Sequence, residues 1–292
     1  MAISASMVKE LRERTGAGMM ECKKALTSAE GDMEAAIEAM RISGLAKADK
    51  KSGNTAAEGA VAIQLSDDAK SFGMIEINSQ TDFAAKAEDF INFTAKVVAT
   101  VLEQKPETVD QLVIDGEAVE EVRKTLVAKI GENIQVRRCV SGSTADGVYG
   151  SYSHSGRIGV VCEVVGGDAE LAQDIAMHIA ASKPVCVDES GVPAELLEKE
   201  KSIFSAEAAE SGKPAEIIEK MVVGRIRKYL AEITLVGQPY VKNPDQTIAQ
   251  LLKEKGATVA NFYRLEVGEG IEKKEENFAD EVMAQVRSAE TE

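Results

Sequence analysis

Few residues of this chain have the types and spacing that acid–base or nucleophilic chemistry needs. The two histidines are His154, in a turn-forming segment, and His178, on an apolar helical stretch. A catalytic histidine works with a nucleophile and with a group that orients it, and no such spacing surrounds either position. We therefore expect His154 to be solvated and His178 to be a structural or interface residue. The chain is expected not to be an enzyme.

Phosphate, thiol and cofactor chemistry have little more support. The segment Gly16-Ala17-Gly18 lacks the Lys-Ser/Thr ending of a phosphate-binding loop and follows a helix rather than a strand, which favours a helix–helix turn. The four cysteines lie far apart, without the spacing of a zinc site or a redox pair, as is typical of reduced thiols in the cytoplasm. We expect the chain to bind no nucleotide itself and to need no cofactor.

One segment does place a charge and an aromatic ring side by side at a turn. Residues 74–77 alternate like a strand, residues 78–80 favour a turn, and Thr81, Asp82 and Phe83 follow. In one interpretation this is a strand-to-helix corner, with Asp82 as the N-cap and Phe83 in the core. In the other, Asp82 and Phe83 form a wedge that is presented to a partner. A magnesium site at Asp82 would need more oxygen ligands nearby, so we expect no metal.

A second motif, at residues 11–26, reads Leu-Arg-Glu-Arg-Thr-Gly-Ala-Gly-Met-Met-Glu-Cys-Lys-Lys-Ala-Leu. Together with the wedge segment it resembles the elongation factor Ts family, the guanine-nucleotide exchange factors of elongation factor Tu. Residues 128–134, 176–184 and 267–271 extend the resemblance over nearly the whole chain. One departure is Ala84, where the family usually has Val. This change removes an apolar contact beside the wedge.

The resemblance implies that the chain binds elongation factor Tu, in its GDP-bound and nucleotide-free forms, and promotes exchange of GDP for GTP. The family segment that disturbs the partner's magnesium site carries over onto Thr81, Asp82, Phe83 and Ala84. Further partner contacts carry over onto Arg12, Met19, Met20, Ile130 and His178. Adjacent helical residues point about 100° apart, so we expect one of the two methionines to be in the core and the other to contact the partner.

The composition excludes some partners. The chain has 49 acidic and 34 basic residues and a net charge of −15. Nucleic-acid binding requires clustered Lys and Arg, so we expect none, and residues 137–138 and 225–228 are interpreted as solvated basic patches. No stretch approaches the ~20 apolar residues of a membrane span, so we expect no membrane association and a cytoplasmic location. Self-association stays open. The main alternative function is a plain protein-binding module, such as a chaperone or a scaffold.

The pattern of elements predicts an α+β fold. An N-terminal three-helix unit, similar to ubiquitin-associated modules, is followed by two strand–turn–strand–helix patterns, which predict two repeated antiparallel α+β subdomains. An antiparallel helical hairpin, or coiled coil, interrupts the second subdomain. The expected boundaries are residues 1–54 for the N-terminal domain and linker, 55–144 for the first subdomain, 145–192 and 231–268 for the second, 193–230 for the hairpin, and 269–292 for a C-terminal helical module.

Some element boundaries follow from single residues. Ser6 is expected to cap the first helix. The third helix is expected to end at Ile42, because residues 47–54 are charged and small and so favour a linker. Residues 233–236 are expected to form a strand, and residues 277–287 a final helix with apolar side chains on one face.

Overall fold

The computed structural model describes residues 3–210 and 214–272, and within these ranges helices combine with small antiparallel sheets. The predicted α+β class is confirmed. The predicted final helix over residues 277–287 lies outside the described residues, as does most of the C-terminal module at 269–292.

Three helices at the N-terminus enclose a small apolar cluster. They are α1 (Ala5–Thr15), α2 (Met19–Ser28) and α3 (Met33–Lys51). The N-cap of α1 is Ser4, whose hydroxyl accepts a hydrogen bond from the backbone N–H three residues on, at 3.2 Å. The prediction that Ser6 caps this helix is wrong, because Ser6 lies inside the first turn. The buried members of the cluster are Val8, Leu11, Cys22, Leu26 and Ala36.

α3 continues well beyond Ile42, so most of the predicted linker is helical. The side chain of Ala48 is fully buried in the apolar core of the α+β unit that follows. A Cβ added at Gly44 would lie 2.9 Å from the side chain of Ala128, so the helix also approaches a later part of the chain closely. The charged residues of this stretch favoured a linker in the sequence, although they share the helix with small residues that pack inward.

The first α+β unit contains eight α-helices and β-strands. In chain order they are β1 (Glu58–Leu65), β2 (Ser71–Ser79), α4 (Asp82–Ala85), α5 (Glu88–Gln104), β3 (Val113–Ile114), β4 (Glu117–Ala118), α6 (Val119–Ile130) and β5 (Ile134–Ser143). β1, β2 and β5 form an antiparallel sheet with β2 in the middle, and the predicted β1–β2 hairpin is confirmed. The apolar faces of α5 and α6 pack on this sheet. β5 was not predicted.

The second unit is built on the same plan and contains a helical hairpin. Its elements are β6 (Gly147–His154), β7 (Ile158–Val165), α7 (Ala169–Ser182), α8 (Ala194–Ala209), α9 (Ala215–Ile233), β8 (Pro239–Tyr240), β9 (Asn243–Thr247), α10 (Ile248–Lys255) and β10 (Thr258–Glu266). β6, β7 and β10 form an antiparallel sheet with β7 in the middle. α7 lies so close to β6 that a Cβ at Gly150 would be 2.1 Å from the carbonyl carbon of Ala172.

The two sheets share an apolar cluster, which makes the units neighbours. It includes Val61 and Phe72 from the first unit and Tyr149, Val161 and Leu265 from the second. The backbone N–H of Val61 also donates to the carbonyl of Gly156, at 2.7 Å.

α8 and α9 pack on each other as an antiparallel pair, and residues 211–213 between them lie outside the described residues. The chain enters and leaves this pair at one place, since the N–H of Val185 donates to the carbonyl of Ile233 at 2.8 Å and the N–H of Val236 donates to that of Val187 at 3.0 Å. The predicted strand at 233–236 is wrong. α9 runs to Ile233, and a short 3-10 turn over Leu235–Gly237 follows, with Leu235 fully buried.

Candidate functional site

The wedge segment is a corner between β2 and the one-turn helix α4. Thr81 is the N-cap of α4, and its hydroxyl accepts a hydrogen bond from the N–H of Ala84 at 3.2 Å. The prediction that Asp82 is the N-cap is therefore wrong by one residue. Asp82 begins the helix, and its carboxylate lies 2.6 Å from the ammonium of Lys86. Lys86 lowers the pKa of Asp82 through this hydrogen bond, so the carboxylate stays charged.

Phe83 points away from the protein. Its side chain is 80% exposed, the largest fraction among the large apolar residues of the described ranges. The interpretation that Phe83 belongs to the core is wrong. The ammonium of Lys86 lies 6.0 Å from the centre of the ring, at the limit of a cation–π contact. Ala84 is 5% exposed, so its methyl group lies on the inner side of the corner.

Two residues of the turn between α6 and β5 hold the corner through hydrogen bonds. The carboxylate of Glu132 accepts from the N–H of Thr81 at 3.0 Å and from its hydroxyl at 2.8 Å. The side-chain oxygen of Gln80 accepts from the N–H of Asn133 at 2.7 Å. Glu132 and Asn133 were not among the predicted site residues, although both lie in residues 128–134. In the sequence, the one feature that could have drawn attention to Glu132 is its position directly after Gly131, the glycine that ends α6.

Both methionines of α2 face solvent. Met19 is 59% and Met20 74% exposed, so the prediction that one of them lies in the core is wrong. α2 begins at Met19, and its packed stripe is made by Cys22 and Leu26 further along the helix. Arg12, on α1, is exposed as well. These three side chains are therefore free to contact a partner.

The N-terminal helices meet the end of α6 at Lys129. A Cβ at Gly16, in the α1–α2 turn, would lie 2.7 Å from Cε of Lys129. The ammonium of Lys129 lies 2.6 Å from the carboxylate of Asp89, in the first turn of α5. Ile130 follows and is partly buried. The end of α6 thus joins the N-terminal turn to the helix that follows the wedge.

His178 occupies a different environment. It is fully buried on α7, where Nδ1 accepts from the N–H of Val241 at 3.2 Å and Nε2 lies 3.0 Å from the side-chain oxygen of Gln238. The Nε2–H tautomer satisfies both partners. Burial lowers the pKa of His178, which keeps the ring neutral. In this conformation a direct partner contact by His178 is not available, because no part of the side chain reaches the surface. His154 lies in the exposed β6–β7 turn region, as expected.

Comparison with known proteins gives one consistent result. The family model described as Elongation factor TS matches residues 80–269, which include the wedge and most of the two α+β units. Full-length relatives named Elongation factor Ts are also similar: that of Methylococcus capsulatus is 61% identical over 99% of this chain and 100% of its own length, and that of Thioalkalivibrio sulfidiphilus is 64% identical over the same shares.

The chain belongs to the elongation factor Ts family. The family resemblance predicted from the motifs is therefore confirmed, and membership places the chain in translation elongation. A role in nucleotide exchange on elongation factor Tu follows from the family name. Within residues 3–210 and 214–272, no cluster of His, Cys, Asp and Glu could hold a metal ion. Over the same part of the chain, no helix has the length and apolar character needed to cross a membrane.

Proposed function

We propose that this chain binds elongation factor Tu carrying GDP and releases the nucleotide by pressing Asp82 and Phe83 into the partner's magnesium and phosphate site. The observation that carries the proposal is the corner itself. A large aromatic ring is 80% exposed, and the backbone beneath it is held by a cap and by partly buried hydrogen bonds. A solvent-exposed ring on a supported backbone is the arrangement expected of a side chain that is buried only in a complex.

The two wedge residues act differently. Phe83 supplies apolar surface that displaces groups of the partner when it is buried. Asp82 brings a carboxylate beside the ring, and its negative charge opposes that of the bound phosphates. Thr81 and Ala84 act through the backbone, Thr81 as the helix cap and Ala84 as the buried side of the turn.

The wedge cannot supply the whole effect. A ten-thousandfold faster release requires about 5.5 kcal/mol of barrier lowering. Burying one Phe side chain contributes about 1.5–3 kcal/mol. The remainder requires other contacts, and the exposed Arg12, Met19 and Met20 are suited to this because long flexible side chains adapt to a partner surface. Ile130 completes this group at the end of α6. The resulting complex prefers the nucleotide-free partner, and by linkage its formation weakens GDP binding.

The division into domains is part of the proposal. We assign residues 1–54 to the N-terminal domain and linker and 55–144 to the first α+β subdomain. Residues 145–192 and 231–268 form the second subdomain, and 193–230 form a hairpin inserted in it. The backbone hydrogen bonds that close the base of the hairpin support the insertion. The packing of Ala48 in the first α+β core ties the N-terminal domain to the wedge-bearing unit. The place of action is the cytoplasm, where translation elongation occurs.

The test is release of fluorescent GDP from elongation factor Tu after mixing with this chain and excess unlabelled GDP. Substoichiometric amounts are expected to accelerate release over many turnovers. Val223→Ala is a matched control for substitution of the exposed Phe83, because Val223 is 64% exposed but lies on the hairpin, away from the proposed contacts. Binding without acceleration would contradict the exchange function and support a plain binding module.

A further inference from the structure

The helix that carries the wedge is too short to hold its own shape. α4 has four residues, Asp82–Ala85. A single helical turn fixes several backbone dihedrals for about one hydrogen bond, so it is unstable without outside support. The direction of Phe83 must therefore be set by groups outside α4. The turn between α6 and β5 contains such a group.

Glu132 reaches the wedge from this turn. Gly131 ends α6 in the left-handed conformation, at φ +84°, and the next residue, Glu132, contacts Thr81 just beyond β2. The two carboxylate oxygens of Glu132 then take one hydrogen bond each from Thr81, at 3.0 Å from the N–H and 2.8 Å from the hydroxyl. Hydrogen bonds to a charged acceptor are stronger than neutral ones, and two of them fix orientation as well as distance.

These bonds fix the cap as well as the backbone. The hydroxyl of Thr81 donates to Glu132 and accepts from the N–H of Ala84. A hydroxyl that donates in one direction has its lone pairs oriented for the other, so Glu132 sets the geometry of the N-cap. Asp82 and Phe83 lie between the two ends of this chain of hydrogen bonds.

The same turn contacts the end of the N-terminal domain. The side-chain amide of Asn133 donates to the carbonyl of Asn54 at 2.7 Å. The backbone N–H of Asn133 donates to the side chain of Gln80, just before the wedge. The side chain of Asn54 also donates to Gln80, at 3.3 Å. Glu132 and Asn133 therefore hold together the base of the wedge and Asn54, which lies three residues beyond the end of α3.

We propose that Glu132 is a positioning residue for nucleotide exchange. It fixes Thr81 and thereby the direction of Phe83, without itself touching the nucleotide. The inference rests on the proposed function of the wedge. When Glu132 is removed, water can reach the donors of Thr81, which is only partly buried, so the protein folds but the wedge becomes mobile. Ordering a mobile wedge then opposes the release step, while the wide interface still binds the partner.

The experiment uses variants that differ in how many hydrogen bonds remain. Glu132→Ala removes both acceptors, Glu132→Gln keeps one, and Thr81→Val removes the hydroxyl. The control Glu103→Gln removes an equal charge from an exposed position at the far end of α5.

The maximal rate of GDP release, at saturating concentrations of the chain, is expected to fall about tenfold for Glu132→Ala, which corresponds to ~1.4 kcal/mol. It is expected to fall less for Glu132→Gln. The half-saturating concentration should change less than about threefold. The double variant Glu132→Ala/Thr81→Val should fall less than the product of the single effects.

A second readout does not depend on exchange. The chain contains no Trp, so Phe83→Trp places a single fluorescent reporter at the wedge. Time-resolved anisotropy of this Trp should show faster, wider local motion when Glu132 is Ala than when it is Glu, at an unchanged overall tumbling time. Equal anisotropy and an equal maximal rate for the Glu and Ala forms would overturn the role of Glu132. If the parent chain itself fails to accelerate GDP release, the proposed function fails instead, and the anisotropy result still tests the positioning.

Discussion

Replacing Phe83 by Ala separates a wedge from a core residue. In the folded chain the side chain is 80% exposed, so only about a fifth of its surface is removed from water. A buried Phe→Ala change costs about 3–5 kcal/mol, and about a fifth of this is ~0.6–1 kcal/mol. Ala is also a better helix former than Phe by a few tenths of a kcal/mol, which offsets part of the loss. The free energy of unfolding should therefore fall by about 0.5 kcal/mol or less.

The effect on exchange should be much larger. If the ring is buried only in the complex from which GDP leaves, its removal raises the barrier by about 1.5–3 kcal/mol. This corresponds to a release rate roughly 10- to 150-fold lower. The assay is stopped-flow release of fluorescent GDP from elongation factor Tu at saturating chain, paired with urea unfolding of the free chain.

Phe90 provides the matched control. It lies in the first turn of α5, close in sequence to the wedge, but it is fully buried. Phe90→Ala should cost about 3–5 kcal/mol of stability, which is the result that Phe83→Ala must not show. A loss of more than about 2 kcal/mol in Phe83→Ala, or an unchanged rate of GDP release, would refute the reasoning.

Two further predictions concern the second α+β unit. Replacing residues 194–230 by a short Gly-Ser linker should leave a folded chain that keeps most of its exchange activity, because backbone hydrogen bonds such as that from Val185 to Ile233 close the base of the hairpin. Circular dichroism measures the folding of this variant and GDP release measures its activity. Loss of folding would contradict the insertion. Burial lowers the pKa of His178, so below the ordinary value of 6.5 the unfolded chain gains a proton that the folded chain does not, and stability should fall with falling pH by at most ~1.4 kcal/mol per pH unit. Urea unfolding at pH 7.5 and 5.5 should show that the free energy of unfolding depends less on pH in His178→Gln than in the parent. The exposed His154→Gln is the control. An equal pH dependence in all three proteins would be evidence against a buried neutral ring.

Local signals were sufficient to predict most single elements. The hairpin of β1 and β2 follows from two alternating stretches around a polar turn, and the turn between α1 and α2 follows from Gly16-Ala17-Gly18. In each case the signal and the structure it specifies lie within a few residues of each other. Periodicity and turn chemistry are enough under these conditions.

The missed strand β5 shows where local signals fail. Its centre contains Arg137 and Arg138, which the sequence suggested were a solvated basic patch. Both guanidiniums instead bind the carboxylate of Glu76, which is fully buried on β2. A strand whose charges are paired across the sheet does not show apolar alternation, so the pairing partner had to be known before the strand could be recognised.

The site was predictable in its location but not in its support. The wedge came from a family resemblance, whereas the residues alone favoured a core position for Phe83. Thr81 and Asp82 are both good N-caps, and Glu132, distant in sequence, decides between them by binding Thr81. Exposure at Met19 and Met20 likewise depends on where α2 begins relative to its packed stripe. Each of these is a tertiary effect, which a single sequence does not specify.

The most direct test of the central claim is the magnesium dependence of the wedge effect. GDP release from elongation factor Tu is measured with saturating parent chain or Phe83→Ala/Asp82→Ala, in excess Mg²⁺ and after chelation. If the wedge acts on the partner's magnesium and phosphate site, the parent should be much faster than the double variant with Mg²⁺, and the difference should shrink when the ion is absent. An equal difference under both conditions would contradict an action at the magnesium site, and no difference under either would contradict the wedge.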